Sequence, residues 1–216
     1  MTRRVTKMLN GGGLLNEEPD LIYNCEMRTY GAVNLNPLWF LIALNVSFFL
    51  ITLLRPETIY LLGLTPARLP EQPWTIISSV FVHGGLLHIA FNMIALYFLG
   101  SFLIRAVGDR SFLAVFFLGG LAGNLLFILL AHPFSTGVGA SGAIYGLAGA
   151  LAIIAPRVPV FMLFIPIPVP LWIAVIILLF LSFLFSGIAW QAHLGGLFLG
   201  LIAGLILRKR RRLYYF

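Results

Sequence analysis

The sequence predicts an all-α membrane protein built from six transmembrane helices. The 216-residue chain has a mean hydropathy of +1.00, only 10% of its residues are charged, and long apolar windows recur along it. This composition is too apolar and too poor in charge for a water-soluble domain of this length.

The apolar windows set the number of predicted spans. One helical span needs about 20 mostly apolar residues. The windows that satisfy this lie at residues 38–54, 86–104, 112–130, 141–155, 169–185 and 189–207. The fourth is short, and the fifth can begin earlier because residues 158–169 are apolar, although prolines interrupt them. These proline-rich residues also make the fifth span a candidate for movement during substrate entry.

The two ends of the chain are predicted to be cytoplasmic tails. Residues 1–36 are mixed in polarity and show no signal-peptide core, so they predict a flexible or membrane-surface segment. Residues 37–207 form the predicted transmembrane domain, and residues 208–216 a basic tail. Cys25 is the only cysteine, which excludes an intrachain disulfide and a thiol-pair metal site.

The net charge of +7 is explained by membrane topology rather than by a nucleic-acid partner. With the N-terminus inside, only Arg55 and Arg68 lie outside. The other twelve basic residues all fall in inner segments: Arg3, Arg4, Lys7, Arg28, Arg105, Arg110, Arg157, Arg208, Lys209, Arg210, Arg211 and Arg212. This bias predicts a multi-pass protein of the cell membrane whose terminal basic run binds anionic lipid.

Polar residues inside the spans form one layer. Spans two, four and six run in the same direction, and each carries its polar residues in its first turns. Because the rise is about 1.5 Å per residue, these groups fall within roughly 10 Å of the outer end of the hydrocarbon. They are His88 and Asn92 on span two, Ser141 and Tyr145 on span four, and Gln191 and His193 on span six.

Ser141 and His193 are the candidate nucleophile and base. Ser141 follows Gly139 at the predicted start of a helix, where free N–H groups and the helix dipole favour a developing oxyanion. An imidazole is the usual base for a serine hydroxyl. Small residues on both helices predict the close contact that joins the pair: Gly142, Gly146 and Gly149 on span four, Gly196 and Gly200 on span six. Tyr145 is placed to hold the imidazole.

The absence of acids from the spans excludes other mechanisms. All seven acidic residues lie outside the predicted spans, which argues against an aspartyl intramembrane protease and a proton-coupled carrier. No carboxylate is available to complete a triad with His193, so the predicted catalytic unit is a dyad. No His-Glu-x-x-His zinc motif occurs. Asn45 and Asn124 are interpreted as hydrogen-bonding groups between helices.

These motifs resemble those of the rhomboid intramembrane serine proteases. The match comprises Gly-x-Ser-Gly at residues 139–142 with Tyr145, His-x-x-Gly-x-x-x-Gly at residues 193–200, and His83, His88 and Asn92 in the family's spacing. It covers about residues 38–207. The sequence departs from the family in two places. Thr75 follows Trp74, where members often carry Trp-Arg. Some members end span two with Gly-x-x-x-Glu-x-x-x-Gly, and here Ile104 replaces the glutamate between Gly100 and Gly108.

The resemblance implies a six-helix rhomboid-like fold and a set of roles. Ser141 would attack the scissile carbonyl, His193 would accept and return the proton, and His88, Asn92 and the Ser141 amide would hold the oxyanion. His83 would help line a water-accessible cavity. The substrate would be a single-pass membrane protein cut near the outer face, with no cofactor or metal. Two alternatives stay open: an inactive rhomboid-like protein that binds transmembrane helices, and a small transporter.

Overall fold

A computed structural model describes residues 36–162, 165–185 and 187–210 of the chain. The prediction of an N-terminal tail therefore concerns residues almost wholly outside the described part, as do those for Cys25 and the last six residues, which include Arg211 and Arg212.

The described chain is mostly helical. Its four long helices are α1 (Asn36–Leu54), α4 (Leu86–Val107), α5 (Asp109–Leu130) and α8 (Trp190–Leu207). Two shorter apolar helices are α6 (Ser141–Ile154) and α7 (Leu171–Leu184). Short helical turns complete the set: α2 (Thr58–Leu62), α3 (Thr75–Ser78), and 3-10 turns at Pro66–Arg68 and Arg208–Arg210.

Four helices have the length and composition to cross a membrane. α1, α4, α5 and α8 contain apolar stretches of 18 to 22 residues with mean hydropathy between 1.6 and 2.4. α6 and α7 have 14 residues each, about 21 Å at 1.5 Å per residue, which is less than the roughly 30 Å of the hydrocarbon core. The chain is thus a multi-pass membrane protein, and two of the six predicted spans are helices shorter than a full crossing.

A small β-hairpin corrects the all-α prediction. Residues Pro159–Met162 (β1) and Ile165–Pro170 (β2) pair antiparallel, with Val160 opposite Val169. The sequence left open that the fifth span begins within this region, but α7 begins only at Leu171. Proline at every second position of β2 prevents a helix, and the intervening Ile and Val residues favour an extended chain.

α6 lies at the centre of the bundle. It packs against α8 and α5 most extensively, and against α4 and α7 over smaller areas. Ten of its fourteen residues are buried, among them Leu147, Leu151 and Ile154. Large side chains instead fill the space between α1, α4 and α5, where Phe112 and Phe116 are fully buried. The central helix therefore combines close backbone contacts with buried aliphatic side chains, whereas aromatic side chains fill the space between the peripheral helices.

The segment between α1 and α4 is fastened by its own hydrogen bonds. The Trp74 indole N–H donates to the Leu61 carbonyl at 2.9 Å, and the Ser78 hydroxyl donates to the Leu62 carbonyl at 2.8 Å. Leu64 and Gly137 exchange backbone hydrogen bonds of 2.9 and 2.8 Å, which ties this segment to the one that precedes α6. These hydrogen bonds anchor the segment although Thr75, rather than an arginine, follows Trp74.

Candidate active site

Ser141 occupies the first position of α6, as the sequence predicts. The preceding Gly139 has φ +118°, a conformation that glycine adopts without steric cost. The helix then begins with the Ile144 N–H donating to the Ala140 carbonyl at 2.9 Å. N–H groups in the first turn of a helix have no acceptor within it, so the Ser141 side chain sits at a positive helix end.

His193 lies beside Ser141, although 52 residues separate them in the chain. The His193 Nε2 and Ser141 Oγ atoms are 2.8 Å apart, which is hydrogen-bond distance. His193 is 8% exposed and Ser141 is half-buried. The two side chains therefore form a largely dehydrated pair in which the hydroxyl can donate to the imidazole.

Glycines allow the two helices to come this close. A Cβ atom on Gly196 would overlap the Gly142 carbonyl oxygen, and one on Gly200 would overlap the Gly146 carbonyl oxygen. The predicted stripes on α6 and α8 thus face each other, and no side chain separates the two backbones. This contact confirms the predicted packing of these glycines.

Tyr145 stacks on the imidazole of His193. The ring centroids are 4.4 Å apart and the ring planes differ by 18°. The Nδ1 atom of His193 is buried and has no hydrogen-bond partner among the described residues. The orientation of the imidazole therefore depends on the Tyr145 ring and on the Ser141 hydroxyl, as expected for a pair without a third polar member.

His88 is packed against Gly139. A Cβ atom built on Gly139 would lie 2.7 Å from both Cε1 and Nε2 of the His88 ring, so only glycine fits there. The imidazole of His88 thereby meets the backbone two residues before Ser141. The sequence indicated that glycine permits a turn at this position, but not that its missing side chain makes room for this ring.

Asn92 is buried on the same face of α4 as His88. Its Nδ2 group donates to the His88 carbonyl at 2.8 Å, and its Oδ1 atom is buried without a partner among the described residues. In the described part of the chain no hydrogen bond joins Asn92 to Ser141 or His193. Asn92 thus lies one turn after His88 on α4 and is hydrogen-bonded to its own helix.

His83 lies beside His88, before the start of the membrane-spanning α4. The two rings meet edge to face with centroids 5.1 Å apart. His83 Nδ1 donates to the Phe81 carbonyl at 3.2 Å, whereas Nε2 is buried without a partner among the described residues. Burial, and to a smaller extent the charge of nearby His88, lowers the pKa of His83 from 6.5 to about 4. His83 has no exposed surface, so the expected lining of a water-filled cavity is not seen.

Asn45 and Asn124 differ in their partners. The Asn124 amide donates to the Ile76 carbonyl at 2.7 Å and to the Ser79 hydroxyl at 2.9 Å, which joins α5 to the segment before α4. The Asn45 amide donates to Leu41 within its own helix, so the prediction that it bonds between helices is wrong. Sequence reasoning did not identify Ser79 as the partner of Asn124, because the link forms between segments distant in the chain.

Comparisons with known proteins identify the family. A family model of the rhomboid domain matches residues 70–210. Rhomboid protease GluP of Bacillus subtilis is 33% identical over 131 residues, which are 60% of this chain and 25% of that protein. Rhomboid-like protease 3 of Toxoplasma gondii is 34% identical over 98 residues, 44% of this chain and 37% of that protein.

A more distant relative extends the match. The mitochondrial rhomboid protein 1 of Saccharomyces cerevisiae is 28% identical over 145 residues, 62% of this chain and 42% of that protein. The chain thus spans less than half the length of these relatives, whereas the family model covers more than half of the chain. With its apolar helices and with Ser141 beside His193 at their centre, the chain belongs to the rhomboid family.

Proposed function

We propose that the protein is an intramembrane serine endopeptidase that cleaves transmembrane segments of membrane proteins with a Ser141–His193 dyad. The observation that carries this proposal is the 2.8 Å separation between His193 Nε2 and Ser141 Oγ. A serine hydroxyl is a weak nucleophile unless a base accepts its proton, and the neutral imidazole is that base.

Proton transfer accompanies each bond that forms or breaks. The Ser141 oxygen attacks the scissile carbonyl carbon while His193 Nε2 accepts the hydroxyl proton. The imidazolium then gives this proton to the leaving amine as the C–N bond breaks, which leaves an acyl-enzyme ester. A water molecule, deprotonated by the same imidazole, hydrolyses the ester and restores the serine hydroxyl.

The oxyanion is held by donors around the start of α6. The Ser141 amide lies at the positive helix end, and His88 meets the chain at Gly139, two residues before the nucleophile. We assign His88 and Asn92 as the side-chain donors. Turning the Asn92 amide from the His88 carbonyl toward substrate requires only a side-chain rotation, since both groups lie on one helix face.

The supporting residues keep the imidazoles oriented. Tyr145 stacks on His193, Gly139 leaves room for His88, and His83 backs the His88 ring. A buried, neutral His83 adds no positive charge beside the His88 ring that it contacts.

The position of the dyad in the chain supports a proposed location. Ser141 and His193 occur in the first turns of α6 and α8, whose opposite ends are followed by Arg157 and by Arg208 and Lys209. The positive-inside rule then puts both termini in the cytoplasm and the dyad near the outer face of the cell membrane. We propose six crossings within residues 37–207, with cytoplasmic tails at 1–36 and 208–216. Single-pass membrane proteins are the proposed substrates.

Cleavage of a model transmembrane substrate by the purified protein in detergent tests this function. The native protein is compared with Ser141→Ala and His193→Ala, and thermal unfolding verifies that each variant is folded. We expect either change to abolish cleavage. Cleavage that survives Ser141→Ala contradicts the mechanism, and a folded native protein that cuts none of several helix-destabilised substrates favours an inactive, helix-binding protein.

A further inference from the structure

Asn124 joins α5 to the segment that precedes α4. Its Nδ2 group donates two hydrogen bonds, to the Ile76 carbonyl at 2.7 Å and to the Ser79 hydroxyl at 2.9 Å. Ser79 is 1% exposed and both bonds are partly buried, so water competes with them less than at an exposed site. A single amide therefore fixes both ends of one helical turn of this segment.

The same turn holds the backbone in front of the nucleophile. The Ser79 carbonyl accepts a hydrogen bond of 2.9 Å from the Gly139 N–H. Gly139 is in turn the residue whose missing side chain admits the His88 ring, and it precedes Ser141 by two positions. A shift of Ser79 is thus transmitted through one backbone hydrogen bond to the meeting point of Gly139 and His88.

α5 also touches α8 beside the base. A Cβ atom on Gly123 would lie 2.6 Å from the Ala192 carbonyl oxygen, and one on Gly195 would lie 2.5 Å from the Ala122 carbonyl oxygen. These contacts flank His193. Two neighbouring residues of α5 therefore have different partners. Gly123 contacts α8, the helix of His193, and Asn124 binds the segment whose Ser79 holds the nucleophile loop, the residues 137–140 that precede Ser141.

We propose that Asn124 is a positioning residue, which acts through Ser79 to fix Gly139, and with it His88 and Ser141, relative to His193. This inference rests on the proposed protease function for its kinetic consequence. Among the described residues no hydrogen bond joins Asn124 to the dyad or to His88, so its effect is on placement. Oxyanion donors act only over a narrow range of distance, so a small displacement of the Gly139 backbone weakens transition-state binding more than substrate binding.

Asn45 supplies a matched control. It is also an asparagine inside a membrane helix, but among the described residues its amide donates only to Leu41 in the same helix. Replacing it by alanine removes a buried amide without loosening the nucleophile loop. Comparison of Asn124→Ala with Asn45→Ala thus separates a loss of packing from a loss of position. Asn124→Gln retains the amide and serves as the conservative variant.

Two measurements test the proposal, and the first does not need activity. Hydrogen exchange of the full-length protein, read by mass spectrometry on peptides that cover residues 137–141, reports the Gly139 N–H. We expect faster exchange there in Asn124→Ala, native exchange in Asn45→Ala, and partial recovery in Asn124→Gln. Unchanged exchange in Asn124→Ala overturns the proposal, whether or not the native protein cleaves.

The second measurement is steady-state cleavage below the unfolding temperature of every variant. We expect Asn124→Ala to lower kcat about tenfold, equivalent to about 1.4 kcal/mol in the barrier, with KM changed little. Asn45→Ala should retain native kcat, and Asn124→Gln should recover part of the loss. If the native protein is active and Asn124→Ala keeps its kcat, the positioning role is contradicted. If the native protein is inactive, the proposed function fails. The exchange experiment then still decides whether Asn124 holds Gly139 in place.

Discussion

The α6–α8 contact and helix α7 show two opposite ways of building a membrane helix into a bundle. At the α6–α8 contact the backbones touch, because Gly142, Gly146, Gly196 and Gly200 carry no side chains between them. α7 buries few side chains and exposes large ones: Trp172, Ile176, Leu178, Phe180, Phe183 and Leu184 are 46 to 62% exposed. Ser141 and His193 lie on α6 and α8, where backbone contact sets the distance between the two helices.

This difference predicts which substitutions should change stability and activity most. A backbone contact cannot relax by rotating a side chain, so an added methyl group must push the helices apart. An exposed apolar side chain on α7 has lipid as its alternative neighbour, and one apolar group substitutes readily for another there. Ser182 is an exception on this helix, since it is buried, and its hydroxyl donates to the Leu179 carbonyl of α7 itself at 2.6 Å.

The largest effect is expected from Gly196→Ala. The added methyl group overlaps the Gly142 carbonyl oxygen, so α6 and α8 must separate and the Ser141–His193 hydrogen bond must lengthen. Overpacking of this kind costs about 1–3 kcal/mol of stability. We expect a clearly lower unfolding temperature and loss of cleavage. Retention of native stability and activity would show that the two backbones are less constrained than their contact indicates.

Gly139→Ala tests the loop that leads into α6, with a smaller effect on folding than on activity. The methyl group would collide with the His88 ring and must occupy a φ of +118°. In the proposed mechanism His88 is an oxyanion donor, and loss of one such donor lowers kcat about 100-fold. Gly108→Ala is the control, because it has φ +87° but nothing within 4 Å of the added atom. Similar kcat values for the two variants would exclude a specific role for the Gly139–His88 contact.

Acidification is expected to destabilise the protein through His83. Its pKa is about 4 when folded and about 6.5 when exposed, so the stabilisation is complete above pH 6.5 and is lost as pH falls toward 4. Within that window the free energy of unfolding should fall by up to about 1.4 kcal/mol per pH unit for this group. Unfolding in detergent across this range, compared between native protein and His83→Gln, measures the difference. Parallel pH curves would assign the loss to other groups.

The smallest effect is expected from Phe180→Ala on α7. Phe180 is 60% exposed and faces away from the bundle, so its removal leaves no cavity in the protein. Substitutions at such positions change stability by about 0.5 kcal/mol or less. Val175→Ala, on the buried side of the same helix, should destabilise more. Equal unfolding temperatures for these two variants would remove the distinction between the inner and outer faces of α7.

Much of the fold can be predicted from the sequence because hydrocarbon imposes a simple rule on composition. Apolar windows locate the six longer helices of the described residues, and four of these have spanning length. The hairpin at residues 159–170 was missed because a run such as Ile-Pro-Ile-Pro-Val-Pro is apolar in any conformation, and hydropathy alone cannot distinguish a strand from a helix. Prolines identified a break in the helix without specifying the extended pairing that replaced it.

The sequence alone determined which residue types could do chemistry here. Few catalytic groups are possible within the predicted spans. They comprise a serine at a glycine-flanked helix start and histidines on two other apolar helices, and these three spans contain no acidic residue. The glycine spacing on α6 and α8 also predicted their contact, since small residues four apart create a flat helix face.

Only the tertiary structure decided how these groups meet. The 2.8 Å contact of His193 with Ser141, the Tyr145 stack, the fit of His88 against Gly139 and the Asn124–Ser79–Gly139 chain all join residues far apart in sequence. Helical periodicity specifies which side chains share a face, but not which face meets which neighbour. That choice is made by the packing of the whole bundle. A backbone hydrogen bond such as that from Gly139 to Ser79 cannot be predicted from residue types, because nearly every residue carries the same backbone donor and acceptor.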